Sequence, residues 1–484
     1  METASMKVQT SAAGDWSGES AGAGWLSGLR QEWRPMLSLA IPVVMAEFAW
    51  MAMNIVDLLM VGKLSVEAIG AVSLGSTLHW GVLIFGFGAL LGLDALISQA
   101  FGAGDLRECR SWLVHAIYLG LFLAPLLMAV VWIVWPILRW LDIDPNIVSQ
   151  TRGYLNALNW STPALLLYTI FRRYLQAQGM VRIVTATVIL ANVVNAVMNF
   201  WLIHGGLGVP ALGVAGSGWA TFSARVFLAL GLGAAIVQAQ RRQGSEENAF
   251  AWRPQWRRIR ELLRIGLPAA CHLSLEVLVF AIAGLMAGKL GPAPLAAHQI
   301  VLNIASVSFM APLGIASAGA VRVGQALGAG EPRRARRSGW TAWALGVGFM
   351  GIAGLTFWIV PQGLIRLYTD REPIIAAAVP LLLLAALFQL FDGMQVVASG
   401  VMRGASETRI PLICNFVAHW IIGLPSAWAL CFVAGWGVQG LWVGLTLGLM
   451  TSGVALTIAW VYLSRRMERI AERMRIKGDA APRS

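Results

Sequence analysis

Apolar runs of about 20 residues, broken by charged residues or by proline and glycine, recur along the whole chain and predict membrane-spanning helices. Twelve such spans begin near Met36, Gly70, Trp112, Gln150, Met180, Ala211, Leu262, Pro294, Trp340, Ile374, Thr408 and Gly437. The pattern also repeats, because residues 41–110 match residues 267–336 at a constant offset of 226 with no gap. Pro42 pairs with Pro268, Gly62-Lys63-Leu64 with Gly288-Lys289-Leu290, Gly88 with Gly314, and Gln99-Ala100 with Gln325-Ala326. The run Gly102-Ala103-Gly104 pairs with Gly328-Ala329-Gly330, each followed by an acid, Asp105 or Glu331. Later spans match less tightly, Gln178-Gly179 with Arg403-Gly404 and Gly213-Val214 with Gly437-Val438. Each half therefore holds six spans. Six is even, so both halves enter the membrane from the same side and are related by an axis along its normal. The expected fold is an all-α polytopic membrane protein of twelve transmembrane helices in two six-helix lobes, related by pseudo-two-fold symmetry along the membrane normal. Its expected divisions are an N-terminal tail (1–35), an N-lobe (36–239, helices 1–6), a linker (240–261), a C-lobe (262–463, helices 7–12) and a C-terminal tail (464–484).

Composition agrees, with 57% hydrophobic and 12% charged residues where a soluble domain carries about 25% charge. The net charge of +12 would suit a nucleic-acid partner if it were clustered on one soluble face. Instead, 29 of the 36 lysines and arginines lie in the tails and in the loops after even-numbered spans. That is the positive-inside distribution, and it predicts cytosolic termini, a cytosolic linker and no nucleic-acid partner. The stretch 252–264, with Trp252 and Trp256 among arginines, suits either an anionic lipid surface or a retention signal and linker. Residues 1–35 are rich in Gly, Ser and Ala and lack the core of a signal peptide, so they read as a disordered cytosolic tail. The four cysteines (Cys109, Cys271, Cys414, Cys431) have no spacing of a metal site or disulfide framework.

Five acids fall inside the predicted spans: Glu47, Asp57, Asp94, Glu276 and Asp392. An ionised group at the bilayer centre costs at least about 2.5 to 3.5 kcal/mol, so each needs a reason. Glu276 and Asp392 fall near the middle of the seventh and tenth spans, at similar depth, and such a pair can exchange protons for a cation. The competing role is a polar clamp between helices, which Asn or Gln would fill at lower cost. Asp57 is the matching candidate in the first half. Asn192, Asn195 and Asn199 share one face of the fifth span, either as polar neighbours of that acid or as a packing stripe. Glu47 lies on another face of the first span and is either a second relay acid or a residue of the interlobe cleft. Asp94, near the cytosolic end of its span, can reach interfacial water and reads as structural. Arg225, inside the sixth span, reads as a clamp or the partner of an acid. His298 and Gln299 open the eighth span, with proton transfer or simple packing as their alternatives. Pro42 and Pro268 remove a backbone hydrogen bond early in equivalent helices and form a possible hinge, or kinks tolerated for packing. No HExxH, GxSxG or GxxxxGK[ST] motif is present, so hydrolysis and ATP drive lack support and an ion gradient is the expected energy source.

Four stretches carry a family resemblance: Met53 to Gly62 around Asp57, Leu295 to Asn303 around Gln299, Arg322 to Gly330, and Gln395 to Gly404. In order and spacing they resemble the multidrug and toxic compound extrusion (MATE) family, closest to its bacterial NorM-type branch, across residues 36–463. The resemblance implies an antiporter of the bacterial cell inner membrane. It would export amphipathic, often cationic drugs in exchange for sodium or protons, as a monomer contacting membrane lipids and without a cofactor. It further implies that Glu276 and Asp392 form the second-lobe cation site, with sodium as the one metal ion in question, and that Asp57, Asn195 and Asn199 form the first-lobe polar site. Glu47 departs from the family pattern. Two other readings remain: a flippase for lipid-linked sugars, which calls for arginines in the cleft where the spans offer Arg225, and a membrane-embedded enzyme, which calls for a nucleophile with a partnered base.

Overall fold

The computed structural model describes residues 25–136, 144–206, 208–242 and 253–479. Its N-terminal half comprises α1 (Trp25–Val61), α2 (Val66–Leu90), α3 (Leu93–Gly102), α4 (Leu106–Val134), α5 (Pro145–Trp160), α6 (Thr162–Ala177), α7 (Val181–His204) and α8 (Val214–Arg242). The second half comprises α9 (Trp256–Lys289), α10 (Pro292–Gly328), α11 (Pro332–Ile359), the short α12 (Pro361–Arg366), α13 (Glu372–Gly404), α14 (Arg409–Asn415), α15 (Leu424–Trp428) and α16 (Gly437–Asp479). Two π-helical stretches, Phe416–Gly423 and Ala429–Val433, flank α15 and complete the eleventh span.

Among the described residues, eleven helical stretches are long and apolar enough to cross a bilayer. The twelfth expected span, beginning near Gln150, is α5 and α6 in series, broken at Ser161 and restarted by Thr162 and Pro163. Each of the two helices has 16 residues, and Asn156, Asn159, Ser161, Thr162 and Pro163 make their junction polar. The packing rather than the lipid accommodates Arg172 and Arg173, which are almost wholly buried. Large apolar side chains such as Phe122, Ile133, Leu230 and Ile352 are exposed on the outside of the bundle, as a lipid-facing surface requires.

The expected tails need correction. The first helix starts at Trp25, within the expected tail 1–35, and the last runs to Asp479, through most of the expected tail 464–484. Contacts from the other half hold the early start. Glu32 is buried against Arg322 at 2.5 Å, Arg334 at 3.3 Å and Ser338 at 3.0 Å. Of the linker expected at 240–261, residues 243–252, Trp252 among them, lie outside the described residues; α8 ends at Arg242 and α9 begins at Trp256.

The two halves are joined by a reciprocal crossing at the arginine-rich end. Met36, Leu39 and Ala40 of α1 belong to a buried cluster whose other members come mainly from α10, α11, α13 and α16. Their repeat partners Leu262 and Ile265 of α9 are buried in the core of the first half. Glycine permits this approach. A Cβ on Gly88 would strike the backbone of Ala270, and one on Gly314 would strike the backbone of Val44, the same contact seen from each half. Likewise a side chain on Gly102 would meet the backbone of Gln325, and one on Gly328 that of Gln99. Gly104 and Gly330 turn the chain at φ of 76° and 75°, which glycine adopts without the Cβ penalty. The first glycine of each Gly-Ala-Gly thus serves packing across the axis and the second serves the turn. Asp105 then caps α4 by accepting from the Glu108 amide at 2.8 Å.

Polar contacts follow the same symmetry. Gln99 donates to the Gly404 carbonyl at 3.0 Å, and its counterpart Gln325 donates to the Ala177 carbonyl at 2.8 Å. The pair Glu32 with Arg334 has its repeat image in Arg258 with Glu108, at 2.5 Å, with acid and base exchanged. At the centre, Asp94 accepts from Arg173 of its own half at 3.1 Å and from Arg403 of the other at 3.1 Å, while Arg173 also donates to Ser317 of α10 at 2.7 Å. This corrects the expectation that Asp94 reaches interfacial water, since it is 1% exposed. The two arginines on it take the place of solvent, and Arg173 also lies over the Phe87 ring, 5.4 Å from its centroid.

Two outcomes follow from this seam. Replacing Gly102 or Gly328 by Val should lower stability by about 1–3 kcal/mol through overpacking, read as a drop in the thermal midpoint in detergent. Gly348→Val, where a Cβ would meet nothing within 4 Å, should leave that midpoint nearly unchanged. Asp94→Asn leaves Arg173 and Arg403 facing one another, a loss on the scale of about 3–5 kcal/mol for a broken buried pair. The spin-label distance between positions 107 and 333 should lengthen in that variant; an unchanged distance distribution would show that Asp94 does not hold the seam.

Candidate functional site

The C-terminal half places Glu276 of α9 beside Asp392 and Gln395 of α13. Gln395 follows Asp392 by three residues, so both face the same way. Its amide nitrogen donates to Glu276 Oε1 at 2.9 Å, leaving its own buried carbonyl oxygen without a partner. Asp392 is 7% exposed, and the Glu276 carboxylate is the charge that acts on it. Among the described residues, no lysine or arginine forms an ion pair with either acid.

Behind Glu276, on the side away from Gln395, stands His272, one helical turn earlier on α9, with Nε2 at 3.6 Å from Glu276 Oε2. Asn415 Nδ2 lies 2.6 Å from the same imidazole nitrogen, and Ser452 of α16 donates to Asn415 Oδ1 at 2.6 Å. A narrow cleft opens here between α9 and the first π-helical stretch, lined by His272, Glu276, Asn415, His419 and Trp420. The π-helical winding brings His419 into this wall, with its Nδ1 on the Asn415 carbonyl at 3.1 Å and its Nε2 unpartnered.

The N-terminal half assembles a second cluster with different electrostatics. Asp57 of α1 accepts from Asn195 at 3.0 Å and Asn199 at 2.6 Å, both on α7, and from Thr221 of α8 at 2.7 Å. All three sequence-predicted residues therefore come together, and Thr221 joins them. Arg225, one turn beyond Thr221, donates to Ser161 at 2.6 Å. The break between α5 and α6 is what turns Ser161 toward it. Asn192, the third member of the asparagine face, donates instead to the Ala49 and Val188 carbonyls, both at 2.9 Å, and acts as a clamp between α1 and α7.

The remaining candidates are separate from both clusters. Glu47 is buried and ion-paired with Arg172 of α6, which also reaches Tyr168. Trp50, one turn along α1, stacks on Tyr168 with centroids 5.4 Å apart. The arginines at 172 and 173, read from the sequence as loop residues, are thus the buried partners of Glu47 and Asp94, and Arg225 is not alone inside a span. His298 accepts from the Trp442 indole at 3.2 Å, a packed role, and Gln299 is exposed beside Gly284. Pro42 and Pro268 lie within unbroken helices two residues before Val44 and Ala270, at the seam, and the Pro42 carbonyl accepts from Thr185 at 2.6 Å. Thr221, Gln395 and His272 were not singled out from the sequence, although two carry a signal: Gln395 and His272 lie three and four residues from an intramembrane acid on the same helix.

The two-lobe fold matches known proteins. The MatE family model matches residues 42–201 and again 268–429, one copy in each half. A probable multidrug resistance protein NorM of Mesorhizobium japonicum is 36% identical over 453 residues, covering 91% of this chain and 95% of that protein. The multidrug resistance protein MdtK of Photorhabdus laumondii is 34% identical over 440 residues, covering 89% and 96%. Among solved structures, the eukaryotic MATE transporter AtDTX14 superposes with a TM-score of 0.81 at 20% identity, over 92% of this chain and 100% of that one. The Vibrio cholerae MATE transporter VcmN in its bent form does so at 0.80 and 19%, over 91% and 99%. The chain belongs to the MatE family of multidrug and toxic compound extrusion transporters, on its NorM-type branch.

Proposed function

We propose that this protein is a secondary active multidrug efflux antiporter of the bacterial inner membrane, exchanging a cation at Glu276 and Asp392 for an amphipathic, often cationic, drug. The observation that carries this reading is the pair of carboxylates, Asp392 buried and Glu276 largely so, with no lysine or arginine partner among the described residues, beside an unpartnered Gln395 carbonyl oxygen. Two negative charges at that depth are costly unless a cation or protons neutralise them. The carbonyl adds a third oxygen ligand of the kind that sodium takes. The multidrug resistance names of the NorM and MdtK relatives support drugs as the exported class.

The arginine-rich end is the cytosolic end in this reading, from the positive-inside distribution. The Gly-Ala-Gly seam and the Asp94 contacts then close the path to the cytosol. Cation and drug act by differential affinity for the two states: neutralising Glu276 and Asp392 favours one arrangement of the lobes, and drug binding favours the other. Membership of a transporter family speaks against the membrane-embedded enzyme. The flippase reading needs arginines free to hold pyrophosphate, whereas Arg172 and Arg173 are committed to Glu47 and Asp94.

Drug export by purified protein in vesicles tests the assignment. Glu276→Gln and Asp392→Asn should each reduce gradient-driven export at least about tenfold, the effect of about 1.4 kcal/mol of lost coupling. Full export in both variants would end the proposal. Imposing a sodium gradient and a pH gradient separately on the same vesicles identifies the ion, which should drive the unmodified protein and fail to drive the double variant.

A further inference from the structure

Exposed positions follow one another at helical spacing along α9. Arg257, Arg260 and Arg264 lead into Leu267, Leu278 and Leu285, while Leu262 and Ile265 between them are buried in the first half. From Leu267 to Lys289 the helix rises about 33 Å, close to the roughly 30 Å of a hydrocarbon core. Leu267 therefore marks the edge of the hydrocarbon at the arginine-rich end. Arg264 stands one turn outside that edge, about 4.5 Å along the axis, within a headgroup layer about 5–7 Å deep. Arg260, a further turn out, can reach back along its apolar stem.

The eleventh span sets a second charge beside the first. Thr408 donates to the Ile265 carbonyl at 2.8 Å and so fixes the start of α14 against α9 next to Arg264. Arg409 follows it, exposed at the head of another apolar stripe formed by Ile413, Phe416 and Val417. Among the described residues, none of Arg257, Arg260, Arg264 and Arg409 forms an ion pair. The nearby acids are otherwise placed: Glu261 is exposed on α9 without an ion pair, and Glu407 accepts from the Arg409 and Ile410 amides at 3.0 and 3.1 Å. Arg258 differs from its neighbours, turning inward to Glu108 and the Trp112 ring. The repeat shows that the crossing of the lobes does not need the exposed charges, because Gln31 and Ser38, also exposed, occupy the α1 positions equivalent to Arg257 and Arg264. Deeper between the same two helices, Leu275, Leu412 and Phe416 form the apolar part of the cleft that reaches Glu276.

We propose that Arg264 and Arg409, supported by Arg257 and Arg260, form a binding site for an anionic phospholipid. Its phosphate lies between the two guanidinium groups, whose forked donors match phosphate oxygens, and an acyl chain runs along the groove between α9 and the eleventh span. The site is separate from the cation exchange proposed above and does not depend on it. An occupied site tethers α9, the helix that carries Glu276, to one leaflet.

The test is lipid retention by the purified full chain in detergent, counted by native mass spectrometry with phosphatidylglycerol and phosphatidylcholine at equal concentration. Phosphatidylglycerol should bind the more tightly, and Arg264→Gln with Arg409→Gln should weaken it about 25-fold, about fivefold for each arginine. Arg409→Gln alone gives the single step should the pair not fold, and lysine at both positions should keep most of the affinity. Arg241→Gln with Arg333→Gln removes two exposed arginines from the same end and should leave binding nearly unchanged. A phosphatidylglycerol with a diazirine on its acyl chain should cross-link to Leu275, Leu412 or Phe416. The proposal is overturned if the two lipids bind alike, or if the folded glutamine variants hold phosphatidylglycerol as the unmodified protein does. Equal loss in the Arg241 and Arg333 pair would overturn it as well, leaving only the diffuse attraction of a basic surface. So would displacement of the lipid by millimolar inorganic phosphate, the mark of a site for a soluble anion, or cross-links confined to other helices.

Discussion

Backbone-to-backbone contact between the two halves, with no side chain between them, is the constraint on which the rest of this molecule depends. Each half sends the start of its first helix into the core of the other, and the crossing is possible only where glycine or alanine stands at the contact. In a membrane, apolar surface gains little by leaving lipid, so association rests on close packing and on hydrogen bonds with few competitors. The seam supplies both: glycines 88, 102, 314 and 328 for approach, and glutamines 99 and 325 for hydrogen bonds to main-chain carbonyls across the axis. Asp94 adds a charge shared by an arginine from each half. A joint built from such short contacts is either made or broken, which suits a protein that must present its cleft to one side at a time.

The symmetric part of this design was legible in the sequence. A gapless offset over 70 residues, 41–110 against 267–336, preserves the very positions that touch across the axis, because a contact between equivalent residues constrains both copies at once. The apolar runs also placed all twelve spans, the fourth among them. They did not reveal that Arg172 and Arg173 sit deep in the protein, paired with acids distant in sequence. A hydropathy pattern reports the average surroundings of a segment and is blind to a partner 79 or 125 positions away. The early start of α1 was hidden for the same reason: nothing local orders Glu32, whereas two arginines and a serine from the other half do. The carboxylates of both sites were found because acids are conspicuous in apolar runs. Thr221, Gln395 and Asn415 were passed over because neutral polar residues are common in membrane helices, and only three-dimensional placement gives them a role.

The two lobes divide the chemistry unequally on a common frame. In the first, an acid is met by three hydrogen-bond donors. In the second, Glu276 accepts from one amide and lines a narrow cleft with two histidines, and a second acid, Asp392, lies beside that amide's helix face. Equivalent helices in equivalent places therefore surround their acids with different polar groups.

The ion pairs flanking the seam bear on how the chain assembles. Glu32 and Glu108 both belong to the first half, and their partners Arg334 and Arg258 both belong to the second. Two first halves from separate chains, docked through the same symmetric surface, would oppose glutamate to glutamate at both places, and two second halves would oppose arginine to arginine. The two repeated units are thus complementary to one another within a single polypeptide and not to copies of themselves. The half that leaves the ribosome first is discouraged from marrying a neighbour while it waits for its own partner to be inserted.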